Sequence, residues 1–211
     1  MNKPAGQLSQ GAKGFDLDLV SEVMTYNASQ GKSAYAAIIN RLDRPVSGLV
    51  LIAKNKSAAA KYSTLMQKEG GFNKQYEALI CGKLSELKGT FVDYLKKDGR
   101  TNTSAIVPAD DAANDKEAKL SKLEYEVISY DEVKDITHVR IHLITGRHHQ
   151  IRVQFASRRH PLVGDYKYAT ADCGMDNAVK AVAFKRNQIA LCAASLTVDN
   201  KTYSVAPEFL L

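Results

Sequence analysis

Asp43 lies between Arg41 and Arg44, so one carboxylate is framed by two guanidinium groups. Such an aspartate is either a nucleophile or the centre of a structural ion pair. It is ionised at neutral pH from its ordinary value alone and can attack without a separate activating base. The densest basic cluster gathers Arg147, His148, His149, Arg152, Arg158, Arg159 and His160. Guanidinium groups in such a cluster suit phosphate, as does a helix N-terminus near Gly146. His148 and His149 have no Asp, Glu or Cys at ligand spacing, and adjacent positions on a helix point in different directions, so anion contact is expected there rather than metal binding.

These residues need rigid elements behind them. In an extended segment Arg41 and Asp43 point one way while Leu42 anchors the backbone in the core, and Pro45 pushes Arg44 toward extended dihedrals. The apolar run 49–53 reads as one buried strand, which would set Asp43 on a firm rim. Ser57 then caps a helix carrying Ala58, Tyr62, Leu65 and Met66, ended by Gly70-Gly71. Tyr76, Ala78 and Ile80 share one face of a strand that stops at Gly82, with 90–95 as its expected neighbour. The polar stretch 96–118 reads as a long surface excursion. Leu123, Tyr125 and Val127 alternate, as do Val139, Ile141 and Leu143, which predicts half-buried antiparallel strands. Ile151 and Phe155, four apart, predict a helix over 147–159 with one apolar stripe. The fold class expected is α+β, a mixed, largely antiparallel central sheet flanked by helices.

The chain has 211 residues, 45% of them hydrophobic, enough to bury a sizeable core in a single catalytic domain over 1–211, at most two lobes. Its net charge of +6 favours a polyanionic partner. Cys81, Cys173 and Cys192 are odd in number and widely spaced, which implies neither a disulfide framework nor a thiolate zinc site and suits a reducing compartment. The first residues lack the apolar core of a signal peptide and no apolar run approaches a membrane span, so a soluble cytoplasmic protein is expected.

The stretch Arg41-Leu42-Asp43-Arg44-Pro45-Val46-Ser47-Gly48 resembles the H-R-L-D-x-x-T-S-G signature of the RluA-type RNA pseudouridine synthases, which convert uridine in structured RNA to its carbon-linked isomer. Three further blocks agree in order. Asn2-Lys3-Pro4-Ala5-Gly6 resembles the family's N-K-P-x-G opening, and Lys74-Gln75-Tyr76-Glu77-Ala78 its K-x-Y-x-A strand. Thr145-Gly146-Arg147-His148-His149-Gln150-Ile151-Arg152 resembles T-G-R-x-H-Q-I-R, and Pro161-Leu162-Val163-Gly164-Asp165 follows as the P-x-x-G-D turn. The resemblance implies the pseudouridine synthase fold and Asp43 as nucleophile, attacking either sugar or base. It implies Tyr76 in the active site, concerned with proton abstraction, where strand alternation alone reads a core tyrosine. It also implies Arg152 as the partner of the catalytic aspartate, where the residue alone reads as a solvated basic face. Arg41, Arg44, Arg147 and His149 are the candidates for substrate binding. The reaction needs no cofactor and no metal, and the expected partner is ribosomal or transfer RNA bound by a monomer, with no membrane and no preceding RNA-binding domain.

Four positions depart from the pattern: Asn40, Gln154 and Cys192 stand where the family carries histidine, and Val46 where it usually carries threonine. None replaces the nucleophile, the tyrosine or the arginine. The alternative reading is a non-catalytic RNA-binding or ribosome-assembly protein on the same fold. A metal- or phosphate-loop hydrolase fits less well, since the chain has neither a carboxylate ligand cluster nor a glycine-rich phosphate loop.

Overall fold

A computed structural model describes residues 1–11, 18–68, 71–182 and 188–209. The chain divides into two compact units, one of Met1–Asn73, Lys185–Gln188 and Cys192–Glu208, the other of Lys74–Phe184, Ile189–Leu191 and Phe209–Leu211. In chain order the elements are β1 (Asn2–Lys3), α1 (Leu19–Ser29), β2 (Ala37–Ile38), β3 (Ser47–Leu49), β4 (Ile52–Ala53) and α2 (Lys56–Gln67). There follow β5 (Asn73–Cys81), β6 (Lys88–Asp98), β7 (Thr103–Val107), α3 (Ala109–Ala112), β8 (Lys119–Asp131), β9 (Ile136–Leu143), α4 (Gln150–Ala156) and α5 (Met175–Ala181). Strands β10 (Leu191–Val198) and β11 (Lys201–Ser204) close the chain. The class is α+β, with mixed, mostly antiparallel strand pairing, as the alternating apolar pattern predicts.

In the first unit the run 49–53 is not one strand. β3 pairs antiparallel with β1, Lys3 opposite Gly48, and parallel with β10, Ala193 opposite Gly48. β4 instead joins β2 in a separate two-stranded sheet. The break has a local cause. The Asn40 side chain donates from Nδ2 to the Leu49 carbonyl at 3.1 Å and accepts the Leu51 N–H on Oδ1 at 2.7 Å, so a side-chain amide takes the place of a neighbouring strand on both sides of Val50. Helix α2 also starts earlier than expected. Asn55 caps it, Oδ1 accepting the Ala58 N–H at 2.8 Å, which leaves Ser57 inside the first turn. The helix ends at Gln67, and Gly70 lies outside the described residues. Leu49, Phe72, Leu196 and Val198 form the buried core here, with Tyr62, Leu65 and Met66 of α2 packed against it.

Gly48 is the tightest point of this unit. Its φ of +118° is one that side chains rarely adopt, and a Cβ would come within 2.5 Å of both the backbone N and O of Ala193. Gly48→Ala is therefore expected to destabilise the chain by on the order of 3–5 kcal/mol, combining backbone strain with steric overlap against main chain that cannot swing away. Chemical denaturation of the purified variant checks this, and a loss under about 1 kcal/mol would mean that β3 and β10 separate easily.

In the second unit the strands run in the order β5-β9-β8-β6-β7, all antiparallel. Val139, Ile141 and Leu143 of β9 are buried between less buried neighbours as expected, and Tyr76, Ala78 and Ile80 of β5 are buried on a strand that is covered on both faces from Ala78 to Cys81. The neighbour of β5 is β9, however, not the stretch 90–95, which lies in β6 and pairs with β8. Nor is 96–118 a structureless excursion. It contains the end of β6, a turn, β7 and α3, and its polar side chains build that turn: Asp98 Oδ1 accepts the Arg100 N–H at 2.8 Å, and the Thr101 and Thr103 hydroxyls meet at 2.7 Å. Phe155 of α4 meets Phe91 and Tyr125 edge-on, ring centroids 5.0 and 5.8 Å away, which fixes the helix on the sheet.

Candidate active site

The first unit shapes the backbone around Asp43. Leu42 is buried, and Ser9 holds it from both sides, donating from Oγ to its carbonyl at 2.6 Å and accepting its N–H at 3.1 Å. Asp43 then opens a turn rather than continuing an extended segment. Its carbonyl accepts the Val46 N–H at 3.0 Å across Arg44 and Pro45. The N-terminal segment clasps this turn. Gly6 N–H donates to the Arg44 carbonyl at 2.7 Å, and Arg44 Nε returns a bond to the Gly6 carbonyl at 2.9 Å. Arg41 and Arg44 are both exposed.

Lys3 is the residue that sequence reasoning missed in this clasp. It is fully buried, and its Nζ donates to the carbonyls of Pro4 and Gln7 at 2.9 Å each and of Arg44 at 3.3 Å. Burial pulls its ammonium down to about 8, against the opposing pull of the Asp43 carboxylate. The N-K-P block ahead of a candidate nucleophile was the available signal, though it carries no sign of burial. The folded chain releases this proton near pH 8, whereas an unfolded chain keeps it until near the ordinary value of 10.5. Between those values unfolding takes up a proton, so rising pH favours the folded state through that window. Relative to Lys3→Met, the wild-type chain should gain on the order of 1–3 kcal/mol from pH 8 to 10.5, read from denaturant midpoints. Parallel curves for the two proteins would mean that Lys3 titrates normally.

The second unit holds the other candidates. Tyr76 is buried on β5, opposite Ile141 of β9. Lys74, two residues before it, has its ammonium lowered by burial and then by the charge of Arg147. Arg147 is exposed and its Nε donates to the Leu120 carbonyl at 3.0 Å. The helix expected over 147–159 is only Gln150–Ala156. Gln150 Oε1 accepts both the Arg147 N–H at 3.0 Å and the Thr145 hydroxyl at 2.8 Å, and His149 takes a left-handed φ of 53°, so the helix begins after His149 rather than near Gly146. That left-handed turn also stacks the His148 and His149 rings, centroids 3.8 Å apart, where a helix would have splayed them.

Arg152 is buried, not a solvated basic face. Within this unit its partner is Asp165, bound by Nε at 2.6 Å and Nη2 at 2.8 Å. Both side chains are almost wholly withdrawn from solvent, 6% and 2% exposed, and a fork-to-carboxylate pair at that depth holds the guanidinium in one orientation. Asp165 was visible in the sequence as the one charge closing Leu162-Val163-Gly164. Arg158, expected to meet phosphate, binds both carboxylate oxygens of Asp93 at 3.0 and 3.1 Å and lies 4.0 Å over the Phe91 ring. Gln154, fully buried at a position of family histidine, donates to Asp93 at 2.7 Å and accepts from Gln150 at 3.1 Å. Arg159 is exposed. Among the described residues no His, Cys, Asp or Glu group is arranged to hold a metal ion.

The sequence profile of the family described as RNA pseudouridylate synthase matches residues 1–157, which contain Asp43, Tyr76 and Arg152. The chain belongs to this family. Among relatives, the ribosomal large subunit pseudouridine synthase D of Buchnera aphidicola is 32% identical over 170 residues, 80% of this chain and 51% of that protein. The synthase C of Escherichia coli is 28% identical over 197 residues, 93% of this chain and 57% of that one. The chain therefore spans about half the length of the curated relatives it matches. Two solved human structures, RNA pseudouridylate synthase domain containing 1 and 4, share the fold, with TM-scores of 0.72 and 0.75 over 98% of this chain at 23% and 17% identity. They extend beyond it, the match covering 78% and 84% of their own chains. As pseudouridylate synthase family geometry, the turn at Asp43 and the buried Arg152 are two separately built supports: one fixes a carboxylate's backbone, the other a guanidinium's direction.

Proposed function

We propose that this chain is an RNA pseudouridine synthase that isomerises specific uridines in structured RNA, with Asp43 as nucleophile and large-subunit ribosomal RNA as the substrate class. The observation that carries this reading is the construction around Asp43: a buried Leu42, a serine clamp, a buried Lys3 and a glycine packed on main chain together hold one carboxylate at the head of a tight turn. Backbone restraint of this kind is what a site that must present one group in a fixed direction requires. Family membership and the names of the relatives support the reaction and the class of RNA.

The chemistry asks little else of the protein. The bond from the ribose C1′ to uracil N1 breaks, the base turns, C1′ joins C5, the proton on C5 leaves and N1 takes up a proton, so the product is an isomer of the substrate. Asp43 supplies the anionic attack, on sugar or base. Tyr76 stands against the uracil ring and takes part in removing the C5 proton, and Arg152 supports the Asp43 carboxylate. Arg41, Arg44, Arg147 and His149 contribute to holding the RNA. Arg44 and Arg147 are both exposed and each donates from Nε to a backbone carbonyl, which keeps two positive side chains anchored at the surface. A uridine in a stem must be unstacked before attack, at a few kcal/mol, and a monomer working in the cytoplasm with its two compact units as one catalytic domain is the arrangement proposed.

Mapping pseudouridine in total RNA from cells with the gene, without it, and with only the Asp43→Asn form tests this. A site lost on deletion, restored by the wild-type gene and not by the variant, names both activity and target. No difference between the three would favour a non-catalytic RNA-binding protein on the same fold.

A further inference from the structure

The Tyr168 side chain touches Arg152, Ser104 and His149. Its ring lies against Arg152, with the guanidinium carbon 5.1 Å from the ring centroid. Its hydroxyl oxygen accepts the Ser104 N–H at 2.9 Å and lies 2.6 Å from His149 Nδ1. His149 in turn stacks on His148, whose Nδ1 is 2.9 Å from the Ser104 hydroxyl. Ser104, Tyr168, His149 and His148 thus close a ring of contacts drawn from β7, the turn before α4, and the turn after Asp165. Asp165 itself delivers Tyr168, because its carbonyl accepts the Tyr168 N–H at 3.2 Å while its carboxylate holds Arg152.

The two bonds from Asp165 hold the guanidinium along one edge. The guanidinium also sits over the face of the Tyr168 ring, and cation–π attraction, strengthened where water is excluded, adds a second restraint from outside the fork. The ring stays in place only if it cannot rotate out of the way, and a hydroxyl pinned between a backbone N–H and an imidazole prevents this. We propose that Tyr168 is a positioning residue for Arg152, its phenol O–H donating to a neutral His149 protonated on Nε2, so that β7 and the N-terminal turn of α4 together set the direction of the guanidinium. This rests on the reading that Arg152 supports the Asp43 carboxylate. Neither Tyr168 nor Ser104 stood out in the sequence, because a tyrosine in a polar turn carries no pattern.

Two substitutions in the full chain separate the parts: Tyr168→Phe keeps the ring and removes the hydroxyl, and Tyr168→Leu removes both. Release of tritium from a large-subunit ribosomal RNA transcript labelled at uridine C5 gives kcat and KM. Nitrogen-15 NMR of the RNA-free protein reads the His149 tautomer and the rotation of the Arg152 guanidinium. Tyr168→Phe should lower kcat about tenfold with KM within about twofold, and Tyr168→Leu about a hundredfold, because a misdirected group affects the chemical step rather than RNA binding. In both, Arg152 should rotate faster while the amide spectrum stays that of a folded chain. His149 Nδ1 should be an unprotonated acceptor in the wild type and lose that hydrogen bond in Tyr168→Phe. Wild-type kcat and wild-type Arg152 rotation in Tyr168→Phe would overturn the inference, as would a proton on Nδ1. If the wild-type chain releases no tritium, the functional reading has failed by itself. The NMR arm then still decides, with faster Arg152 rotation upholding the positioning role and unchanged rotation ending it.

Discussion

Asp43→Asn is expected to fold and to bind RNA as the wild type does while losing at least about 10⁴-fold in turnover. Asparagine keeps the shape of the side chain and removes its nucleophilicity. The bonds that build the turn, from the Ser9 hydroxyl to Leu42, from Gly6 to Arg44 and from Val46 to the Asp43 carbonyl, use no side-chain atom of Asp43 and are not touched by the substitution. No other carboxylate belongs to the motif that could take over the attack. Single-turnover tritium release under enzyme excess measures the loss, with RNA affinity read separately by filter binding. Turnover within about tenfold of wild type, once contaminating wild-type enzyme is excluded, would remove Asp43 from the mechanism.

Arg152→Ala should be the most damaging change in the second unit, and for a reason different from the one the family resemblance supplies. It leaves the Asp165 carboxylate buried without the fork that neutralised it, a loss of about 3–5 kcal/mol. Adding Asp165→Ala should then recover part of that stability, since no charge is left uncompensated. A double-mutant cycle on denaturation free energies measures the coupling, expected to exceed about 1 kcal/mol for groups in contact. Strictly additive losses would mean that water enters and solvates the remaining carboxylate. The same cycle run between Arg152 and Asp43, on turnover and on stability, tests the pairing that the family pattern implies. Turnover should fall with Arg152→Ala when Asp43 is present and fall little further once Asp43 has already been replaced.

The sheet was legible in the sequence where one face of a strand is buried and the other wet. Val139, Ile141 and Leu143 of β9 alternate with less buried neighbours as the pleat requires, whereas Tyr76, Ala78 and Ile80 share a buried face of a strand whose other face is covered as well at Leu79 and Cys81. The hairpin of β6 and β7 was not legible. Its residues Lys96, Lys97 and Asp98, opposite Ala105, Ser104 and Thr103, are all charged, Lys96 half-buried against Asp115 and Glu117 and the other two exposed, so hydrophobicity carries little sign of the strand. The helix at Arg152 was overextended for a related reason. Periodicity between Ile151 and Phe155 marks its middle, but its start is set by His149 adopting a left-handed backbone and by a glutamine side chain intercepting the Arg147 N–H. The order of the candidate residues along the chain was readable as motif. Their partners were not, since Asp165, Lys3 and Tyr168 act through hydrogen bonds between segments that no local spacing encodes.

Asn40 has a consequence for how this chain responds to acid. The family signature carries histidine at this position, and a neutral histidine could also donate one bond and accept another. Its accepting nitrogen takes up a proton near the acid side of neutrality, at which point it can no longer receive the Leu51 N–H. The Asn40 amide holds the Leu49 carbonyl and the Leu51 N–H with groups that have no protonation step in that range. The anchor three residues before the candidate nucleophile is therefore indifferent to acidification, and any acid limb in the chain's activity has to originate elsewhere.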